Sequence, residues 1–284
     1  MGTHLEKRVV SDSVVYAYGV VRSSFASATL PSGIDDTTVA LVRDGDHAAL
    51  VSHLSARDYT PAIIEANSGE VAWLSPRAMA HDRVLTWAQE HGGVIPLPMF
   101  AMWGSDAALV ATLRERAGAL SAVFTKVSGA DEFGLRIYRR DAVMLESIDR
   151  IDDELARVRR EAAAASPGQK YLLERKIAER AMASVRTASQ RMAREVFDAL
   201  RAFARDALAR PLAPGNAADG DTTMVLNAAF LVARDQLERF RSAVGAAIES
   251  NEPRGLIFDF TGPWPPYNFV AEPGGAAIGS GARR

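Results

Sequence analysis

Gln169 to Arg210 reads QKYLLERKIAERAMASVRTASQRMAREVFDALRAFARDALAR. Leu173, Ile177, Val185, Met192, Val196, Leu200, Phe203 and Ala207 recur at spacings of three and four or their sums, which gathers them on one helical face. The spacing predicts an unusually long helix over 169–210, and a stripe of that length must pack on something. Upstream, Asp141 to Ala165 predicts a second helix, parted from the first by Ser166-Pro167-Gly168, because Pro-Gly interrupts a helical run. Together they form a long helical hairpin. Outward from it the pattern turns to strands: FGLRIY, opening at Glu132, on one side, and TMVLNAAFLV at Thr223 to Val232 on the other. Arg234 to Glu249 follows as a short helix striped by Leu237, Phe240, Val244 and Ile248, and RGLIFDFTG closes the series as a strand. The order is β-α-α-β-α-β. One further strand near the Pro211–Asp221 loop would bring it to a ferredoxin-like split βαβ unit, with helices over one face of an antiparallel sheet.

Before Glu132 the chain reads as a smaller α+β unit. VVYAYGVV at 14–21 is a β-branched and aromatic run of strand length. TTVALVR and HAALVSHL flank Asp44-Gly45-Asp46, where Asp-Gly supplies the positive φ of a tight hairpin turn. Ser75-Pro76 predicts the start of a helix with Ser as cap and Pro at the first position, running to Gly92-Gly93, with Val84, Leu85 and Ala88 inward. VIPLPMF follows; Pro96 and Pro98 cannot donate to a ladder, so the segment belongs at an edge. Ser105-Asp106 opens a further helix with Leu109, Leu113 and Ala117 on one face, reaching Ser128-Gly129. The fold class is therefore α+β in two domains, 1–131 and 132–271, with EPGGAAIGSGARR at 272–284 read as a disordered tail.

Composition narrows the function. At 284 residues, with 48% hydrophobic and 24% charged, the chain can bury a sizeable core. Thirty-three Lys and Arg against 35 Asp and Glu leave a net charge of -2, too balanced for a general nucleic-acid binder. With no cysteine, thiolate nucleophiles, disulfides and cysteine-held metals are excluded, and an intracellular compartment is the simplest expectation. No signal peptide is read at the start, and no apolar run approaches the roughly 20 residues that span a bilayer.

Signatures of catalysis are missing. The histidines at 4, 47, 53, 81 and 91 make no recognised metal spacing, and the usual hydrolase, phosphate-loop and dinucleotide motifs do not occur. Asp149, Asp152, Asp153 and Glu154 sit where a helix begins, so the helix dipole accounts for them, and Asp219-Gly220-Asp221 reads as a turn. From Arg150 to Arg210, 14 Lys and Arg face nine Asp and Glu; a solvated face laced with i to i+4 pairs is the plain reading, an acidic partner the sharper one. The densest local signal is TGPWPPYNFV at 261–270, where three prolines stiffen a segment carrying Trp264, Tyr267 and Phe269. These aromatics either fold back over their own domain or form a protein contact surface.

Five landmarks together resemble the gas vesicle protein F/L family: Tyr16, Tyr18 and Gly19 in an early strand, VIPLPMF after a helix, Gly168, Tyr171 and Leu172 opening the long helix, LNAAFLV at 226–232, and TGPWPPYNF. The chain departs from the family where a Leu-Pro-Leu-Arg-Phe-Gly type sequence is common. Here Leu97-Pro98-Met99-Phe100 lacks both the Arg and the Gly. The resemblance implies two α+β domains, the second similar to a modified ferredoxin fold. It also implies an accessory role in gas vesicle assembly in the cytoplasm, with the major shell protein and other accessory proteins as partners, and neither catalysis nor cofactor. A ferredoxin-like small-molecule-binding or regulatory protein is the alternative, since that architecture hosts many activities.

Overall fold

The computed structural model describes residues 12–25, 30–147, 152–212, 217–218 and 222–270. They form two compact units: the chain up to Gly129 together with the stretch from Trp264, and Ala130–Pro263. The sequence reading carries the second domain to 271, but the chain leaves it after Pro263, because Phe269 and Val270 bury themselves in the first unit. The tail, Asp149 and the 219–221 turn lie outside the described residues.

In the first unit, β1 (Ser13–Arg22), β2 (Ala40–Asp44) and β3 (His47–Ser55) make antiparallel pairs, with β3 between the other two. The predicted Asp-Gly hairpin joins β2 to β3, and Gly45 takes φ +56 there. Two helices follow, α1 (Pro61–Asn67), capped by Thr60, and α2 (Val71–His91). Ser75 is not the cap of α2, and Pro76 stands inside it. The helix starts five residues earlier than Ser-Pro suggests, giving up the one hydrogen bond that the Pro76 nitrogen cannot donate. The proline-rich run is reduced to β4 (Ile95–Pro96), and β5 (Met102–Trp103) follows just beyond it; both pair with β1, with β4 at the sheet edge. Next come α3 (Asp106–Glu115), capped by Ser105, and α4 (Ala117–Val127), broken apart at Arg116 where one helix was expected.

The second unit runs β6 (Ala130–Arg140), α5 (Asp141–Ser147), α6 (Asp153–Ala164), α7 (Pro167–Arg201), β7 (Asp206–Ala209), β8 (Ala217–Ala218), β9 (Thr222–Ala233), α8 (Leu237–Asn251) and β10 (Leu256–Trp264). Its sheet is ordered β10-β6-β9-β7, with β8 added to β9. The long helix ends at Arg201, short of the expected Arg210. From there the backbone turns to pair with β9: Arg205 N–H donates to the Leu231 carbonyl at 2.7 Å, and Ala207 lies opposite Phe230. Ala207 satisfies the helical spacing and the strand register alike, and the available sheet partner decides. Ala181, Val185, Ala188, Met192, Val196 and Leu200 of α7 are buried with Phe133, Leu135, Ile137, Phe230, Phe240 and Val244 in one apolar core. Among the described residues no helix is long and apolar enough to cross a membrane.

Candidate interaction surface

Gly262 and three prolines decide the geometry of the aromatic segment. At Gly262 the backbone takes φ +120, and a Cβ there would stand 2.8 Å from the Glu132 carbonyl oxygen, so only glycine lets β10 lie this close to β6. The Gly262-Pro263 peptide is cis. Pro265 and Pro266 are buried, and the chain then folds back on itself: Tyr267 N–H donates to the Pro265 carbonyl at 2.7 Å and Phe269 N–H to that of Pro266 at 3.0 Å. Phe269 is 2% exposed, with the Lys126 ammonium 5.4 Å from its ring centroid.

The predicted trio therefore divides. Phe269 is a core residue, because its hydrocarbon ring loses nothing by leaving water. Trp264 and Tyr267 remain 42% and 41% exposed. What the segment offers outward is two aromatic rings with polar edges, Trp264 and Tyr267, on a stretch whose Pro265, Pro266 and Phe269 are buried.

Elsewhere the candidate polar residues resolve into structural contacts. His81 is buried, and its Nδ1 shares a hydrogen bond of 2.7 Å with the Tyr16 hydroxyl. Burial pulls its pKa down to about 4, keeping it neutral. Next to it, the Tyr18 hydroxyl accepts from Ile34 N–H and donates to Ser52 Oγ, both at 2.9 Å, and Ser52 Oγ in turn donates to the Thr38 carbonyl. A Cβ on Gly33 would stand 2.1 Å from that tyrosine oxygen, and one on Gly19 2.6 Å from Val94 Cγ2. The Tyr-x-Tyr-Gly pattern is thus a packing device: two satisfied buried hydroxyls and one bare backbone against which β4 closes. His47 stacks on Phe124 and burial lowers its pKa, while His91 stacks on Trp87 at 4.2 Å and His53 pairs with Asp106 at 2.9 Å. Among the described residues no group of three or more His, Asp or Glu is placed to hold a metal.

Of the acidic cluster, Asp152 has the most work. It caps α6 by accepting from Leu155 N–H at 2.9 Å and reaches across to α7, where Ser184 Oγ donates to it at 2.5 Å and Arg180 pairs with it at 3.3 Å. The Ser184 hydrogen bond, then the Leu155 one, hold its pKa down at about 2. The sequence placed Asp152 at a helix start; its grip on α7 had no local signal. Nor did the exposed Val71, Met79, Tyr171 and Leu172, which sit outside the expected stripes.

Among solved structures the chain is similar to the gas vesicle protein GvpF from Anabaena sp. PCC7120, with a TM-score of 0.71 at 17% identity over 92% of this chain and 99% of the other. It is also similar to GvpF from Microcystis aeruginosa, with a TM-score of 0.64 at 19% identity over 91% and 99%. These likenesses concern the fold. In sequence it is 30% identical to gas vesicle protein F of Streptomyces sp. (strain CB03234), covering 90% of this chain and 98% of that protein. It is 26% identical to gas vesicle protein L of the same strain, covering 92% and 94%. The family model for gas vesicle synthesis protein GvpL/GvpF matches residues 14–271, nearly the whole chain, and the protein belongs to that family.

Proposed function

We propose that this protein is a non-enzymatic accessory component of gas vesicle assembly, working in the cytoplasm and at the gas vesicle, that binds the hydrophobic shell protein transiently and helps nucleate or chaperone vesicle formation. The observation that carries this reading is the exposed pair Trp264 and Tyr267 on a segment whose third aromatic is an internal anchor. A shell subunit destined to turn an apolar face toward gas is an aggregation hazard beforehand. Two large rings held on a stiff backbone bury apolar area while losing little conformational freedom, which is why Trp and Tyr dominate protein contacts. Family membership supports the setting, and other accessory proteins are further partners in it. No role for nucleic acid or a cofactor enters.

We also read the second unit as ferredoxin-like. Numbering its main strands β6, β7, β9 and β10 as one to four, the sheet order is four-one-three-two, with helices between one and two and between three and four. The helical hairpin is then an enlargement of the first crossover.

The test of function is co-purification of the full chain with the major shell protein encoded beside it, scored against an unrelated hydrophobic bait. Specific retention of the shell protein is expected. Equal retention of both baits, or of neither, would contradict the reading.

A further inference from the structure

The two edges of the first unit's sheet are not alike. On one side of β1 stand β4 and β5, two residues each, and Pro96 of β4 has no N–H to offer a further strand. The other edge is β2, where Val39 to Arg43 reads VALVR, with neither a proline nor a bulge to blunt it. Among the described residues β2 pairs with β3 alone. The two-residue turn closes on the pair Asp44–His47, so hydrogen-bonded pairs fall at 44 with 47, 42 with 49 and 40 with 51. The backbone N–H and C=O of Leu41 and Arg43, and of Val39 by the same alternation, therefore point away from β3. An open cleft borders that side, with Leu30, Pro31, Asp36, Val39, Leu41 and Arg43 in its lining.

Two opposite charges stand at the ends of this run. Val39, Leu41 and Arg43 share one face of the strand. Val39 and Leu41 pack into the core there, whereas Arg43 is exposed. Asp36, at the other end, is exposed as well. The neighbouring carboxylates are engaged, Asp35 by Arg77 and Asp44 by Arg114, but neither Asp36 nor Arg43 has an ion-pair partner among the described residues.

We propose that the β2 edge pairs with the β2 edge of a second copy of this chain, antiparallel about a two-fold axis at Leu41. Charge complementarity selects this occupant and this register. Setting Leu41 against the partner's Leu41 brings Arg43 opposite the partner's Val39 and toward the partner's Asp36, and the two-fold repeats the contact. Sliding the strands by two, so that Leu41 faces the partner's Arg43, would set the two arginines diagonally against each other. A foreign strand would have to bring an acid for Arg43 and a base for Asp36 at this spacing; a second copy carries both. The pairing uses up both open edges, so assembly stops at two copies. A contact of one short strand a side is small, and the dimer is accordingly weak and reversible. None of this depends on what Trp264 and Tyr267 bind.

Sedimentation velocity of the full-length protein over a concentration series is the test. Wild type is expected to pass from monomer to dimer and no further. Arg43→Pro removes an N–H that faces outward and none that bonds β3, so the fold stands while the dimer weakens at least about tenfold. Arg43→Glu and Asp36→Lys each set like charges together across the axis, so each alone dimerises more weakly than wild type. Mixed in equal amounts, those two variants form a heterodimer in which both contacts again join opposite charges. Asp36 sits at φ 56, so circular dichroism is used to confirm that Asp36→Lys remains folded. A wild type that stays monomeric throughout, a dimer unmoved by Arg43→Pro, growth beyond two copies, or a mixture that associates no better than either variant alone would each overturn the proposal.

Discussion

Tyr16, Tyr18, Ser52 and His81 are buried in the first unit, hydrogen-bonded as the pairs Tyr16–His81 and Tyr18–Ser52, the latter also to backbone. The second unit's core instead holds Phe240, its ring centroid 5.3 Å from that of Phe230 and 6.0 Å from that of Phe133, with Phe260 stacked on Phe133. Both are cores, but they fail differently. Hydrocarbon packing is indifferent to pH and answers to volume. A buried hydroxyl and imidazole network answers to protonation, and each partner lost leaves another unsatisfied.

The comparison breaks most strongly at Phe230. Phe230→Ala removes a ring in contact with Phe197 and Phe240 and should cost the second unit about 3–5 kcal/mol, read as a lower urea midpoint in the helical far-ultraviolet signal. A loss near zero would mean that the core recloses over the gap.

Acid should act on the first unit. His81 has a folded pKa near 4, below its unfolded value near 6.5, so the unfolded chain binds the proton first. The stability tied to keeping it neutral is complete above about pH 6.5 and is lost as pH falls toward 4, by roughly 3 kcal/mol in all. Trp73, Trp87 and Trp103 stand in the first unit, so urea midpoints followed by tryptophan emission should fall across that window. Asp152 in the second unit has its pKa depressed instead, and its contribution persists until the pH falls below about 4 and goes as the pH nears 2.

Smaller effects sharpen the contrast. Gly19→Ala drives a methyl within 2.6 Å of Val94 and 2.8 Å of the Ile95 carbonyl, at a cost of about 1–3 kcal/mol as β4 is pushed from β1, measurable as a lowered tryptophan-detected midpoint. Asp152→Ala removes both a cap and the tie between the hairpin helices, and should cost about 0.5–2 kcal/mol with faster amide exchange along α6.

These differences also explain what could be read from sequence. Asp44-Gly45-Asp46 announced its hairpin because positive φ has few chemical solutions, and VIPLPMF announced an edge because proline lacks a donor. Phe203 and Ala207 misled because they extend a helical spacing that the chain abandons for a partner strand more than 20 residues away. Ser75-Pro76 misled because a capping pair inside a helix is locally identical to one at its start. At the candidate surface, composition located the aromatic segment, but which ring turns inward is set by tertiary packing, and the burial of Phe269 beside Lys126 has no sequence periodicity behind it. The hairpin's positive balance was legible as a count; that Arg180 pairs with Asp152 was not.

The central claim rests on Trp264 and Tyr267. Titrating purified shell protein, held in mild detergent, into wild type and into the Trp264→Ala, Tyr267→Ala double variant tests it most directly, with circular dichroism to confirm that both remain folded. The account predicts specific binding by wild type and at least about a tenfold loss in the double variant, the usual scale for two central aromatics. A folded double variant with unchanged affinity would contradict it.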